Sequence, residues 1–388
     1  MWKDKVDDSI FDVYISEVTD KQCLVFVNDL EQGGKIIGGF GGKIKQSFPF
    51  IKAYSIERTG LLEVVNLANL NIVEYISSVG TATAFMDSTR KLVGVDALFS
   101  KGLSGRGVGV AIIDTGCSPH LDFLLSSKRK ITFIDMVNKK KIMYDDNGHG
   151  TFVCGVVGAS GLSSGGVYRG VAPECDLIII KALDRSGKTQ GIKILEAMQW
   201  ILDNKNKYHI RVVCMSFGSE PYTRFDALSL GANSLWDAGI VVVSAVGNDG
   251  PRVGSVKSPA ISSKIISVGS LDSTVKPFKI ADFSSRGPIF GVLKPDIVAP
   301  GVDITSLGGA ELFTTMSGTS VSAPTVAGIC ALMLEFKTDL SPNEIKSIIT
   351  NEACSLGEEA NAEGCGLVDA SRCVYSIRNN KNSLNSCY

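Results

Sequence analysis

Several features are scarce or absent in this sequence of 388 residues, and each absence narrows what the protein can be. The 39 basic and 40 acidic side chains leave a formal net charge of -1, which gives no electrostatic footprint for nucleic acid. No apolar run reaches membrane-spanning length, and the polar start MWKDKVDDSIFDV lacks the apolar core of a secretory signal. We therefore expect a globular monomer of the cytoplasm without a membrane partner, or a secreted protein if the sequence begins after a removed signal.

Cysteine is sparse for this length, with ten residues and no CxxC pair. This number is too small for a disulfide scaffold, and the missing CxxC spacing argues against structural zinc. Cys154, Cys214 and Cys330 lie in apolar segments, which predicts reduced core thiols in a reducing compartment. A local disulfide stays open for four residues near the C-terminus: Cys354, Cys365, Cys373 and Cys387.

Only three histidines are available as a general base. His209 precedes a strand in a polar segment that we expect to face solvent, and His120 lies in a loop. His149 stands between two glycines at the start of an apolar, small-residue helix, whose N-terminus helps to keep the imidazole neutral. His149 is therefore the candidate base, although any of the three could be structural.

Short apolar, β-branched runs alternate with helical segments from about Gly105 onward. The predicted strands are 108–114, 176–183, 211–217, 240–246 and 265–271, and the predicted helices include 188–206 and 224–239. This alternation predicts an α/β fold, a doubly wound and mostly parallel sheet with helices on both faces. In such sheets, binding and catalytic sites form at the carboxyl ends of the strands.

The N-terminal part reads as a separate small α+β module. Strand character is predicted for 22–29, 43–58 and 71–86, and helical spacing for 59–70. The polar segment 87–91 is predicted to be a linker.

Five motifs occur in one order and together resemble a known family. AIIDTG, NGHGTFV and MSGTSVSAP contain Asp114, His149 and Ser317, the Asp, His, Ser order of subtilisin. These blocks resemble the three signatures of the subtilisin-like serine proteases, or subtilases. SFG and AVGND resemble that family's substrate-binding strand and its oxyanion asparagine segment. The resemblance covers roughly residues 105–374.

The resemblance implies a serine endopeptidase that acts on proteins or peptides through an acyl-enzyme. Ser317 would be the nucleophile, His149 the base and Asp114 the group that orients the imidazole. Asn248 would donate to the oxyanion together with the Ser317 backbone N–H. The residues implied in substrate binding are Ser216, Phe217, Gly218, Ala245, Val246 and Gly247.

The N-terminal module resembles the ferredoxin-like inhibitor propeptide of subtilases, which implies a self-processing zymogen inhibited by its own propeptide. The predicted divisions are the propeptide 1–85, a linker 86–104, the peptidase domain 105–375 and a polar tail 376–388. We expect processing between Phe85 and Met86, because an extended run from Tyr75 would bring Phe85 to the first specificity pocket. This implies a preference for large apolar residues there, which Lys257 could shift toward acidic ones.

No metal or other cofactor is expected. Many subtilases hold calcium in a loop after the histidine helix, but residues 158–173 contain no carboxylate. Two alternatives remain. One is a catalytically silent subtilase-fold binding or regulatory protein, which a fluorophosphonate label would exclude. The other is a metal-dependent hydrolase using His149 and Cys154, which insensitivity to chelators would exclude.

Overall fold

The computed structural model describes residues 5–6, 22–39, 43–57, 61–78, 85–124, 129–221, 223 and 226–384. The chain divides into two compact units, Met1–Thr83 and Ala84–Tyr388. The sequence had placed this division after residue 85.

The N-terminal unit has the element order strand, helix, strand, strand, helix, strand. Its elements are β1 (Gln22–Val27), α1 (Leu30–Gly39), β2 (Lys43–Phe48), β3 (Ala53–Glu57), α2 (Leu61–Ala68) and β4 (Val73–Ser78). The four strands pair antiparallel in the order β2-β3-β1-β4. Val25, Ile56 and Ile76 from three of the strands are fully buried in one core. This is the ferredoxin-like α+β arrangement that the sequence predicted.

Three local predictions in this unit need correction. Helix α1 was not predicted, because its four glycines disfavour helix formation. In the fold, a Cβ on Gly33 would lie only 2.9 Å from Val27 Cγ1. Glycine there lets the helix pack closely on β1. The predicted strand 43–58 is two strands, β2 and β3, joined by the 3-10 turn Pro49–Ile51. The predicted strand 71–86 extends only over β4, and residues 79–84 lie outside the described residues.

The segment predicted as a linker is helical. Helix α3 (Phe85–Leu92) is followed by α4 (Val95–Phe99), and Arg90 is 5% exposed. A helical segment in which Thr89 and Arg90 are buried is not a polar linker, so that prediction is wrong. Phe85 and Met86 form the first turn of α3, so their backbone is not extended as the processing hypothesis expected.

The large unit is built on an eight-stranded sheet. Its strands are β5 (Gly109–Asp114), β6 (Ile131–Asp135), β7 (Asp176–Lys181), β8 (Ile210–Met215), β9 (Val241–Ala245), β10 (Ile266–Asp272), β11 (Lys279–Ile280) and β12 (Ile297–Pro300). The order is β11-β10-β9-β8-β5-β7-β6, with β12 paired to β10. All neighbours are parallel except β10 and β11. The predicted doubly wound, mostly parallel sheet is confirmed.

Helices cover this sheet. They are α5 (Leu121–Leu124), α6 (His149–Gly158), α7 (Gly191–Asn204), α8 (Ala227–Asp237), α9 (Thr319–Phe336), α10 (Pro342–Asn351), α11 (Ala360–Glu363) and α12 (Ala370–Leu384). Helix α9 is long and apolar enough to cross a membrane by length and composition, but it is mostly buried and packs on β8, β9 and β10. It is therefore the central core helix. Before it lies the hairpin of β13 (Ile304–Leu307) and β14 (Phe313–Met316).

The predicted polar tail 376–388 is largely the end of α12, where Ile377 is 3% exposed. Residues 385–388, including Cys387, lie outside the described residues. The other three C-terminal cysteines, Cys354, Cys365 and Cys373, are free thiols.

The strand order decides where the site forms. Strands β7 and β6 follow on one side of β5, while β8, β9 and β10 follow on the other. The direction of winding thus reverses at β5, and a crevice forms at the carboxyl ends beside such a reversal. Asp114 is the last residue of β5.

Candidate active site

Asp114 and His149 are joined by a hydrogen bond. Asp114 is 1% exposed, and its Oδ1 accepts from the Thr115 backbone N–H at 2.7 Å. The same oxygen lies 2.8 Å from Nδ1 of His149, the first residue of α6. The His149 side chain is 27% exposed, so its ring has one buried edge and one open edge. A buried carboxylate fixes the tautomer of a ring held in this way.

The loop after β5 and the start of α6 are locked together by backbone and side-chain contacts. Asp145 accepts from the Gly148 N–H at 2.9 Å and from the Thr151 N–H at 2.9 Å. The Gly150 N–H donates to Thr115 Oγ1 at 2.8 Å. A Cβ on Gly150 would lie 2.2 Å from the carbonyl oxygen of Gly116, so only glycine fits there. This contact sets the approach of His149 to Asp114.

Lys181, which the sequence analysis did not single out, lies beneath the same loops. It is fully buried at the end of β7, directly beside Asp114 in the strand register. Its Nζ donates to the Thr115 carbonyl at 2.6 Å and to Asp146 Oδ1 at 2.6 Å. Lys181 therefore ties the segment that follows Asp114 to the segment that precedes His149.

The pKa of His149 is raised above its ordinary value of 6.5. Burial is the largest single influence and lowers the pKa, since it disfavours the charged ring. The charge and hydrogen bond of Asp114, with the charge of Asp145, outweigh burial and raise the pKa. The site thus stabilises the imidazolium form.

The structure does not place Ser317 in this arrangement. Ser317 is exposed and follows β14, before the start of α9. Its Oγ donates to Asp303 Oδ1 at 3.2 Å and accepts from the Asp303 N–H at 2.8 Å. A hydroxyl held against the loop before β13, outside the helix, lacks the helix N-terminus that the prediction required. The assignment of Ser317 as nucleophile is therefore corrected.

Ser320 occupies the position that was predicted for Ser317. It is the second residue of α9 and is half-buried. A Cβ built on Gly318 would lie 3.2 Å from Ser320 Oγ and 3.3 Å from Asn248 Nδ2. The two groups therefore border the same point in space. Asn248 Oδ1 accepts from the Thr319 N–H at 2.9 Å. In the GTSxxxP block it is also Ser320 that directly follows Gly and Thr, three residues beyond Ser317.

The segments predicted to bind substrate follow two neighbouring strands. Ser216, Phe217 and Gly218 come directly after β8, and the stretch 245–247 comes at the end of β9. Ala245 and Val246 are buried, and the backbone N–H and carbonyl of Val246 are bonded to Val268 and Lys257. The Gly247 N–H donates to Thr319 Oγ1 at 3.1 Å, which fixes this segment against the start of α9.

Comparison with known proteins identifies the family to which this fold belongs. A profile described as the Subtilase family matches residues 105–368. The chain belongs to the subtilase family. It is 41% identical over 301 residues to serine protease AprX of Bacillus subtilis (strain 168), which covers 70% of this chain and 67% of that protein. It is 35% identical over 274 residues to subtilisin Savinase of Lederbergia lenta, covering 71% of this chain and 93% of that protein. This subtilase is a serine-type endopeptidase.

The loop after α6 directs three carbonyl oxygens at one guanidinium group. Arg90 donates to the carbonyl oxygens of Val167 and Arg169 at 2.9 Å each, and to that of Gly166 at 3.3 Å. Its Nε also donates to Asp96 Oδ1 at 3.0 Å. These three carbonyls therefore already face a buried cation.

The carboxylate of Asp122 reaches the same loop from α5, but it is also engaged. Its two oxygens accept from the N–H groups of Gly161 and Ser163 at 2.9 and 2.7 Å. Within the described ranges, no group of three or more His, Cys, Asp or Glu is arranged to hold a metal.

The other two histidines and the buried thiols of Cys117 and Cys154 take no part in the hydrogen bond between Asp114 and His149. His120 is 7% exposed, and its Nε2 lies 3.1 Å from the Leu312 carbonyl oxygen. His209 is exposed and precedes β8, as expected, at the end of the sheet opposite Asp114. Cys117 and Cys154 are fully buried, and burial raises the pKa of Cys154 well above its ordinary value. Such thiols are poor nucleophiles.

Proposed function

We propose that this subtilase cleaves peptide bonds with Ser320 as nucleophile, His149 as base and Asp114 as the orienting carboxylate. The observation that carries the proposal is the shared point bordered by Ser320 Oγ and Asn248 Nδ2 at the start of α9. A nucleophile needs an oxyanion donor beside it, and the backbone N–H groups of a helix's first turn have no partner within the helix.

The reaction proceeds in two displacements. His149 takes the proton of Ser320 as Oγ bonds to the scissile carbonyl carbon, and the charge that develops on the carbonyl oxygen is stabilised by Asn248 Nδ2 and the Ser320 N–H. The carbon–nitrogen bond then breaks, and the imidazolium gives its proton to the leaving amine. Water, deprotonated by His149, hydrolyses the acyl-enzyme and regenerates Ser320. Throughout, Asp114 holds Nδ1 and stabilises the charged ring.

The substrate would lie extended along the backbone that follows β8 and β9. An added strand needs main-chain partners, and Ser216, Phe217 and Gly218 supply them on one side. The stretch 245–247 would line the space beside them without adding main-chain bonds, because the backbone groups of Val246 and Gly247 already have partners. The predicted preference for large apolar residues requires open space between these segments, which depends on Lys257.

The N-terminal unit is proposed as an inhibitory propeptide that is removed by self-processing near Phe85 and Met86. Its ferredoxin-like topology supports this proposal. Because Phe85 and Met86 lie in the first turn of α3, cleavage between them requires that turn to unwind first. The N-terminus of the purified enzyme, measured by mass spectrometry beside that of Ser320→Ala, tests this step. An uncut wild type, or equal cutting of Ser320→Ala, would reject it.

We further propose that calcium is dispensable for the loop after α6, since Arg90 supplies the positive charge there. We therefore expect peptidase activity to persist in the presence of a chelator.

A fluorophosphonate label tests the nucleophile directly. The proposal expects one labelled residue, identified as Ser320 in the tryptic peptide that also contains Ser317. Ser317→Ala is the matched control and should label like the wild type, while Ser320→Ala should not label. Labelling at Ser317, or no labelling at all, would contradict the proposed function.

A further inference from the structure

The space between the two proposed substrate-binding segments is filled by one side chain, that of Lys257. A Cβ built on Gly218 would lie 2.6 Å from Lys257 Cβ, and one built on Gly247 would lie 2.5 Å from Lys257 Cγ. The two glycines therefore both face the aliphatic stem of Lys257. The gap that two glycines would leave open for a ligand side chain is closed by this lysine.

The backbone of Lys257 is fixed between the same segments. Its N–H donates to the Val246 carbonyl at 2.8 Å. The next residue, Ser258, exchanges two backbone hydrogen bonds with Ser219, at 2.9 and 3.0 Å. The stem thus starts from a fixed point and has little freedom to move its Cβ.

The far end of the side chain is held by two carboxylates, which follow the two glycines at the same spacing. The ammonium group pairs with Glu220, two residues after Gly218, and with Asp249, two residues after Gly247. The Lys257 side chain is 12% exposed, while those of Glu220 and Asp249 are 65% and 48% exposed. Burial is the largest single influence on the pKa of Lys257 and lowers it. The hydrogen bonds to Asp249 and Glu220 and their charges together outweigh burial and raise the pKa above its ordinary value, so the ammonium stays charged.

We propose that Lys257 closes the primary specificity slot, so that the enzyme cleaves best after small residues such as alanine. The inference rests on the proposed function, because it assigns the slot to the residue on the acyl side of the cut. A large side chain could enter only by displacing the stem and breaking both ion pairs. An acidic side chain would meet two carboxylates around one ammonium group, so it gains little from Lys257. This conclusion reverses the preference expected from Phe85.

The test is a series of peptides that differ only in the residue before the cut, which is Ala, Phe or Glu. We expect wild type to have a higher kcat/KM for Ala than for Phe or Glu. Lys257→Ala should raise the ratio of Phe to Ala by about 10-fold or more, because a vacated pocket discriminates by the volume it accepts. Glu220→Gln combined with Asp249→Asn should raise it less, since the stem remains.

Lys264→Ala is the matched control, because Lys264 pairs with Asp237 away from both segments. It should leave the Phe to Ala ratio unchanged. A wild type that prefers Phe, or a ratio unaltered by Lys257→Ala, would overturn the slot proposal. Loss of Glu cleavage in Lys257→Ala without a gain for Phe would overturn it too, since Lys257 would then bind acids.

The fluorophosphonate label separates this proposal from the proposed function, because it reacts at Ser320 without needing the slot. Normal labelling with an unaltered substrate ratio rejects only the role of Lys257. Absence of labelling in wild type rejects the peptidase mechanism and, with it, any role of the slot in cleavage.

Discussion

Replacement of Arg90 by alanine should strongly destabilise the large unit. The guanidinium is 5% exposed and donates to three loop carbonyls and to Asp96. Alanine would leave those carbonyls without this donor in a loop that packs beside α6, the helix that carries His149. Arg90→Lys should rescue little, because a single ammonium group cannot reach several carbonyls in a fork as a guanidinium does.

The magnitude follows from burial. Removing one partner of a buried charged pair typically costs about 3–5 kcal/mol. The Asp96 side chain is 34% exposed and can regain water, which favours the lower end of that range, about 3 kcal/mol. For a unit of this size, each kcal/mol shifts Tm by about 2–4 °C, so we expect a fall of about 6–12 °C.

Thermal unfolding of the inactive Ser320→Ala background is the suitable assay, because it avoids self-digestion. Arg106→Ala is the matched control, since Arg106 also pairs with a carboxylate, Glu174, but its side chain is 58% exposed. Its effect on Tm should be far smaller. Equal effects of the two substitutions would refute the reasoning. A large fall in the Tm of the unsubstituted protein on chelation would also refute it, since the loop would then depend on a metal.

Three further predictions concern the catalytic site. Ser320→Ala should lower kcat for a chromogenic peptide by about 10⁶-fold, the loss known for subtilisin of the same family. Ser317→Ala should change kcat only a few-fold. The reverse result would make Ser317 the nucleophile. Asn248→Ala should lower kcat by about 10²–10³ with KM nearly constant, again the magnitude of the subtilisin case, and a change mainly in KM would make Asn248 a substrate-binding residue. The neutral form of His149 is the base, so its raised pKa should place the acidic limb of the kcat/KM profile above pH 6.5. Asp114→Asn should move that limb to lower pH as well as reduce the rate, and an unmoved limb would mean that another group titrates.

Five of the eight strands could be predicted because each carries its own signal, whereas β6, β11 and β12 were not predicted. The predicted strand 108–114 is β5 with one extra residue, and 265–271 differs from β10 by one residue at each end. Runs of apolar, β-branched residues need no distant partner to be recognised. Helix α1 needs one, because its Gly33 is favourable only where it packs on Val27. Its existence depends on a tertiary contact that the local sequence does not contain.

The site was predicted in part for the same reason. Asp114, His149 and Asn248 each stand beside an element boundary that the sequence marks clearly. The boundary of α9 is not marked, since Ser317, Thr319 and Ser320 are all acceptable residues at a helix start. The Gly-Thr-Ser spacing of the GTSxxxP block favours Ser320, and so do the helix start at Thr319 and the shared border of Ser320 Oγ and Asn248 Nδ2 at Gly318.

Lys181 is the clearest case of a role that the local sequence does not reveal. In the sequence it ends the apolar run IIIK and resembles an ordinary strand terminus. In the fold its Nζ has acceptors at Thr115, Asp146 and Leu183, within 2.6, 2.6 and 3.1 Å, and water is excluded. A buried ammonium is tolerated only with such partners, so its charge requires the loops after β5 and before α6 to stay in one arrangement. That arrangement is the one in which Asp114 meets His149, and so a residue beside Asp114 that has no proposed part in the chemistry fixes the geometry of the pair.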